Sequence, residues 1–221
     1  MSVELDHVFV CTAVGAPEAD ALVAAGLTEG ASNVHPGQGT ACRRFFFRNA
    51  YLELLWVHHE AEARSPATAP TRLWQRWRGR ADGRTCPFGV CLRASPGEPP
   101  PFPSWSYRPQ YLPAGMAIPV ATNVDAPHEP MLFMVPSAQR PDAAPAERAQ
   151  PFEHGNGLRE LTRLSLAGAF EAPSEPLAAV ARTGLVELRA AMEPCLVLGF
   201  DGERVGRVLD LRPALPVVLR W

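Results

Sequence analysis

Residues 34–58, VHPGQGTACRRFFFRNAYLELLWVH, hold the pattern from which the fold is read. After the glycine turn of HPGQGT come two apolar, β-rich runs, 42–47 and 51–57. The turn-prone pair Arg48-Asn49 joins them, which predicts a β-hairpin. Its second strand carries one acid, Glu53, among Leu and Trp residues, where an ionised carboxylate is costly unless it is paired, hydrogen-bonded or bound to a cation. The N-terminal run LDHVFVCT repeats the situation with His7. One histidine and one acid in two otherwise apolar strands predict that they meet in a shared cavity, with a metal ion or a substrate between them.

The chain has 221 residues and 47% apolar content, enough for one sizeable domain or two small ones packed together. A net charge of −2 with acids and bases mixed throughout excludes a basic stripe for nucleic acid or a polybasic membrane tail, and leaves a small-molecule ligand. The start MSVELDH is charged directly after Met, unlike a secretory signal, and no apolar run approaches the roughly 20 residues of a bilayer span. The expectation is a soluble, cytoplasmic protein. Five cysteines, Cys11, Cys42, Cys86, Cys91 and Cys195, form no CxxC pair, so they read as reduced thiols filling the core. No GxSxG, HExxH or GxGxxG occurs, which removes the common hydrolase, zinc-protease and nucleotide readings.

Taken in order, residues 5–11 predict a strand with Leu5, His7, Phe9 and Cys11 on one face and Val8 and Val10 on the other. APEADALVAA (16–25) predicts a helix closed by Gly26 and packed through Ala19, Leu22 and Val23, and 27–31 a short strand. After the hairpin, PTRLWQRWRGR predicts a helix with Leu73 and Trp77 on one face and its arginines in water. Strands are predicted at 88–93 and 131–135, with the proline-dense piece 95–113 left without regular structure and 136–150 as a linker. Beyond it come a strand at 158–166, a helix capped by Ser174, and strands at 185–190, 195–200 and 207–211. The order β-α-β-β-β therefore occurs twice, and two such units can enclose one cup. The reading is an α+β protein of two βαβββ modules forming an open β-barrel cup with a proline-rich insertion. Its parts are a first module at 1–60, a connecting segment at 61–150 and a second module at 151–221.

LDHVFV, the run GLTEG…HPGQGTACRRFFF, YLELLWV, DGRTCPFG and HGNG resemble the glyoxalase-like domain of the vicinal oxygen chelate superfamily. The resemblance is strongest over 5–60 and weaker from 154 onward. It implies paired βαβββ modules around a cup in which a His on the first strand and a Glu on the last, with an equivalent pair from the other module, hold a divalent metal: zinc, nickel, manganese or iron. His7 and Glu53 match the first pair, as metal ligands and catalytic groups. In the second module Arg163 falls where the second His would be, and Asp210 is the candidate for the second acid.

Other residues have plain structural alternatives beside their functional ones. His35 and Gln38 are candidate polar contacts on a rim loop whose glycines equally suit a simple turn. Of Arg43 and Arg44 one must point inward, where it would suit an anionic substrate; Arg43 is the candidate, and a surface arginine is the alternative. Trp56 lines a pocket or packs in a core. His154 and Asn156 in HGNG either reach the cup or form a turn. Two functions stand. One is a glyoxalase-like enzyme, its metal polarising a substrate oxygen pair in isomerase, lyase or dioxygenase chemistry. The other is a non-catalytic binder in which Arg163 supplies the charge instead; a homodimer that completes the cup is a further expectation.

Overall fold

The hairpin forms as the sequence predicts, with β3 (Thr40–Phe46) antiparallel to β4 (Tyr51–Val57), Arg44 opposite Glu53 and Cys42 opposite Leu55. The chain is seen in a computed structural model that describes residues 3–95, 97–135 and 139–221. Strand alternation puts Cys42, Arg44, Phe46, Tyr51, Glu53 and Leu55 on one face of the hairpin, and Phe45, Leu52 and Leu54 on the other.

β1 (Glu4–Cys11) lies parallel to β4 and places Phe9 beside Glu53. On its other side β1 runs antiparallel to β5 (Phe88–Arg93), and there the register skips Asp6: Leu5 pairs with Leu92 and His7 with Cys91. This is a β-bulge, and it inverts the facing of whatever precedes it. Leu5, expected to share the face of His7, instead packs with Val8 and Val10.

α1 (Ala19–Ala24) begins three residues later than predicted, because Ala16 has a left-handed backbone (φ 46°). It ends at Gly26, whose φ of 92° lets its N–H reach Val23 O at 2.9 Å while Leu27 N–H reaches Leu22 O at 3.1 Å. Ala19 and Leu22 are buried as expected, but Val23 is exposed. The next strand, β2 (Asn33–His35), forms at 33–35 rather than 27–31. Thr28 N–H goes to His154 Nδ1 (3.0 Å) and Ala31 N–H to the side chain of Gln150 (3.0 Å), so these donors are taken by a later part of the chain.

The other half of the first sheet comes from the segment expected only to connect. β5, β6 (Ser104–Tyr107), β7 (Ile118–Ala121) and β8 (Met131–Met134) complete an eight-stranded sheet in the order β2-β3-β4-β1-β5-β8-β7-β6. The pairings repeat about the β1/β5 contact: β4 is parallel to β1 as β8 is to β5, and each is followed by antiparallel neighbours. The helix of a βαβββ unit is replaced by the prolines between β5 and β6, which cannot supply helical donors. Part of the piece expected to lack regular structure is therefore strand.

Between the halves, α2 (Glu60–Ala63) and α3 (Leu73–Gly79) cross the sheet. Leu73 and Trp77 pack inward as predicted, whereas Arg76, expected in water, is buried and donates to Cys86 O and Glu129 O. Of the linker reading, 136–138 lie outside the described residues, as do Met1, Ser2 and Pro96. Residues 139–150 pass beside the β3–β4 turn, where Asp142 N–H bonds Arg48 O at 3.1 Å.

The C-terminal strands make their own five-stranded sheet. β9 (Leu161–Gly168), β10 (Glu187–Ala190), β11 (Cys195–Phe200), β12 (Val208–Asp210) and β13 (Val217–Arg220) lie in the order β10-β9-β11-β13-β12. β13 was not expected from the sequence. The β9/β11 register skips Thr162, so β9 carries a bulge where β1 carries Asp6, with Arg163 in the place of His7. α4 (Glu175–Arg182) starts at Ser174 as predicted. Neither sheet closes into a barrel, and the cup is not shared between residues 1–60 and 151–221. One core joins the two sheets: Phe45, Leu54 and Val90 of the first, Leu166, Leu198 and Leu219 of the second, and Leu22 and Leu177 from the helices.

Two substitutions test this packing. Ser174 N–H and Oγ both bond the buried carboxylate of Glu129, tying α4 to the first sheet; Ser174→Ala is expected to cost about 1–3 kcal/mol in urea unfolding. A side chain on Gly89 would overlap the ring of Phe9, so Gly89→Val is expected to lower the thermal midpoint by several degrees, with a cost of about 1–3 kcal/mol.

Candidate functional site

His7 and Glu53 meet. They lie on adjacent parallel strands, are 5% and 6% exposed, and bring His7 Nε2 to 3.4 Å from Glu53 Oε2. Both line a cavity of about 60 Å³ with His35 and Gln38 from the HPGQGT region, and with Tyr107, Tyr111 and Phe133 from the other half of the sheet. Strands β2 and β6, at opposite ends of the sheet order, thus contribute to one hollow, so the sheet curls around it. The cavity admits a few heavy atoms of a ligand.

The bulge sets the orientation of His7. It brings the Asp6 carboxylate to 2.7 Å from His7 Nδ1, while the imidazole stacks on Tyr51 at 4.4 Å between ring centres and takes the edge of Phe133 at 5.4 Å. With Nδ1 held by Asp6, Nε2 is the nitrogen turned toward Glu53. Arg93, itself buried and bonded to Glu4, backs Asp6 at 3.6 Å.

Around Glu53, donor atoms of His35 and Cys42 lie within 4.8 Å of one another and of the carboxylate. Burial pushes the His35 imidazole down, which keeps it neutral, and burial with the Glu53 carboxylate pushes the Cys42 thiol up. Gln38 Oε1 accepts from both Tyr107 and Tyr111 at 3.2 Å, and its amide donates to Thr40. The loop that holds Gln38 is fixed from behind: Gly37 N–H bonds Glu62, and Gly39, at φ 73°, would drive a side chain into the His59 carbonyl. Phe9 beside Glu53 and Ile118, Met131 and Phe133 from the other half of the sheet add apolar lining.

Residues 5–98 match the family model described as a glyoxalase-like domain, a family within the vicinal oxygen chelate superfamily. That match spans less than half of the chain, and it includes His7 and Glu53. The fold of the whole chain is similar to that in the crystal structure of a hypothetical protein from Staphylococcus aureus, at 8% sequence identity and a TM-score of 0.53, covering 99% of this chain and 98% of that one. No curated protein matches the sequence.

The remaining residues singled out from the sequence stay away from this cavity. Arg43 faces the other side of β3, where Glu29 takes it at 2.8 and 2.6 Å and Asp20 at 2.9 Å; Arg44 is the inward one. Trp56 alternates outward with Leu52 and Leu54 and packs on the common core. His154 is a satisfied core histidine between Thr28 N–H and Phe46 O, and Asn156 caps α1 through Ala25 O. Arg163 belongs to the second sheet and pairs with Glu203 and Glu187. Asp210 is on β12 in a surface pair with Arg212, which holds its carboxyl down to about 2.

Sequence reasoning weighed Asp6 only as a hydrogen-bond partner of a structural His7, and gave Cys42, Tyr107 and Tyr111 no part in the site. Strand alternation could have found Cys42, which lies two residues from Arg44 on the face shared with Glu53. The tyrosines sat in the proline-dense region, where no local pattern points anywhere.

The cysteines behave as core residues: all five are free and buried, with burial pushing Cys11 up to about 12 and Cys86 up to about 11. A chromogenic disulfide reagent at pH 8 is expected to titrate none of them within minutes in native protein and all five after denaturation.

Proposed function

We propose that the cavity is the active site of a glyoxalase-like enzyme that acts on a small molecule with the help of a divalent cation. The observation that carries this reading is the opposition of His7 Nε2 and the Glu53 carboxylate. The ring nitrogen of His7 that is not held by Asp6 and the Glu53 carboxylate, both buried, lie 3.4 Å apart, so that one small cation could be bound by the two together. The donors suit such an ion: the His35 imidazole, the Glu53 carboxylate and the Cys42 thiol cluster, and His7 Nε2 lies 3.4 Å from the same carboxylate, a mixed set that fits zinc, nickel, manganese or iron. His7, His35 and Glu53 would hold it, beside Cys42.

A bound cation supplies Lewis acidity, polarising an oxygen pair on the substrate. Asp6 locks the tautomer and tilt of His7. Glu53 is the group placed to move a proton, being the carboxylate that opens on the cavity. The Gln38 amide, positioned by two tyrosine hydroxyls, offers a polar contact to substrate, and Phe9, Met131 and Phe133 exclude water. The histidine and carboxylate groups of the cavity come from β1–β4, and the other half of the sheet adds two tyrosine hydroxyls and apolar side chains. A binder that draws its charge from Arg163 has no support in this geometry, because that guanidinium is neutralised on the second sheet.

Calorimetric titration of Zn²⁺, Ni²⁺, Mn²⁺ and Fe²⁺ into chelator-treated protein tests the reading. One of these ions is expected to bind at one equivalent, with binding lost in His7→Ala and Glu53→Gln and unchanged in Arg163→Ala and Asp210→Ala. Asp6→Asn is expected to weaken it about 10–100-fold through its hold on His7. Equal binding by Glu53→Gln and wild type would overturn the assignment.

A further inference from the structure

Beside the cavity the same face of the hairpin opens on a groove of about 520 Å³ between β3–β4 and residues 139–150. Arg44, Arg140 and Arg148 line it with the rings of Phe46 and Tyr51, and no acid does among the described residues. The two adjacent arginines of β3 differ sharply. Arg43 is matched by Glu29 and Asp20, whereas among the described residues Arg44 donates only to the backbone carbonyls of Ala31 and Ser32 (2.8 and 3.4 Å), and it lies 5.0 Å from the Phe46 ring centre. Arg148 is exposed and makes no ion pair among the described residues; Arg140 is paired with Asp142 and Glu160. A concave, aromatic-floored surface with two unmatched guanidinium groups is suited to an anion, because charge-assisted, forked hydrogen bonds to carboxylate or phosphate are what arginine provides.

Tyr51 stands between the groove, which it lines, and His7, which lines the cavity. Its ring stacks on His7 and also forms the groove floor, and Arg44 sits in register with Glu53. We infer that the groove is the anion-binding subsite of the same active site, and that the substrate is a small molecule whose reacting end enters the cavity while a carboxylate or phosphate is held by Arg44 and Arg148. This deepens the function proposed above and rests on it for the reacting end. The small cavity then has a role: only the reacting atoms need to fit there, and the groove carries the rest.

The experiment uses benzoate, phenyl phosphate and, as the uncharged control, benzyl alcohol, titrated into chelator-treated protein so that no cation in the cavity can hold the anion. Binding of benzoate or phenyl phosphate is expected to weaken about tenfold or more in both Arg44→Gln and Arg148→Glu, and to weaken with added salt in wild type. Benzyl alcohol should respond to neither. The anion showing the larger loss identifies the group recognised. Because Arg148 is exposed and unpaired, Arg148→Glu should keep the wild-type thermal midpoint, so loss of binding there does not report unfolding. Equal anion binding by wild type and both variants, or no binding of either anion by wild type, overturns the inference. Metal titration of the same variants keeps the two proposals apart: it should be unchanged in Arg148→Glu, and a metal site that fails in Glu53→Gln tests leaves the anion result standing.

Discussion

Side chains alternate along a strand with a period of two, so a single surplus residue changes which groups can share a face. β1 has such a residue at Asp6. Without it Leu5 and His7 would point the same way; with it Leu5 joins the common core, and the Asp6 carboxylate is turned to the imidazole next to it. The orientation of His7, its stacking on Tyr51 and its approach to Glu53 all follow from that local departure from the ladder. The bulge recurs at Thr162 in β9, but Arg163 there is met by Glu203 and Glu187. One strand geometry thus serves a cavity in the first sheet and a closed ion pair in the second.

A chain of close polar contacts leads inward from Glu4 at the surface through Arg93 and Asp6 to His7, which lies beside Glu53. Buried pairs of this kind contribute little net stability, since desolvation offsets much of their attraction, so their presence is better explained by what they position. The folding free energy comes from elsewhere. The apolar layer shared by both sheets holds most of the large buried side chains, among them Phe45, Phe47, Phe88 and Phe200.

What the sequence shows is local. The hairpin, the meeting of His7 and Glu53, the β5 and β8 strands and the Ser174 cap were readable because alternation, burial cost and capping act over a few residues. The identity of the second half of the cup was not. Prolines between β5 and β6 erase the helix that would mark a repeated unit, and Pro119 inside β7 leaves that strand joined to β8 at a single residue pair, so neither looks like part of a sheet from its own composition. The C-terminal strands show the more regular pattern and drew the cup toward themselves. His154 and Arg163 were misplaced for that reason: their chemistry suits a site, but their contacts are settled by packing and pairing elsewhere.

The core common to both sheets has a bearing on how this protein can change. The C-terminal sheet holds no part of the cavity, yet its apolar face is the lid over the outside of the curled one; removed, it would leave Phe45, Leu54 and Val90 in water and the curl without support. Its exposed residues, by contrast, include the ion pairs of Arg189 with Glu187 and Arg212 with Asp210. Drift there costs the chemistry little, so this half can diverge in sequence while continuing to act as the buttress of the other.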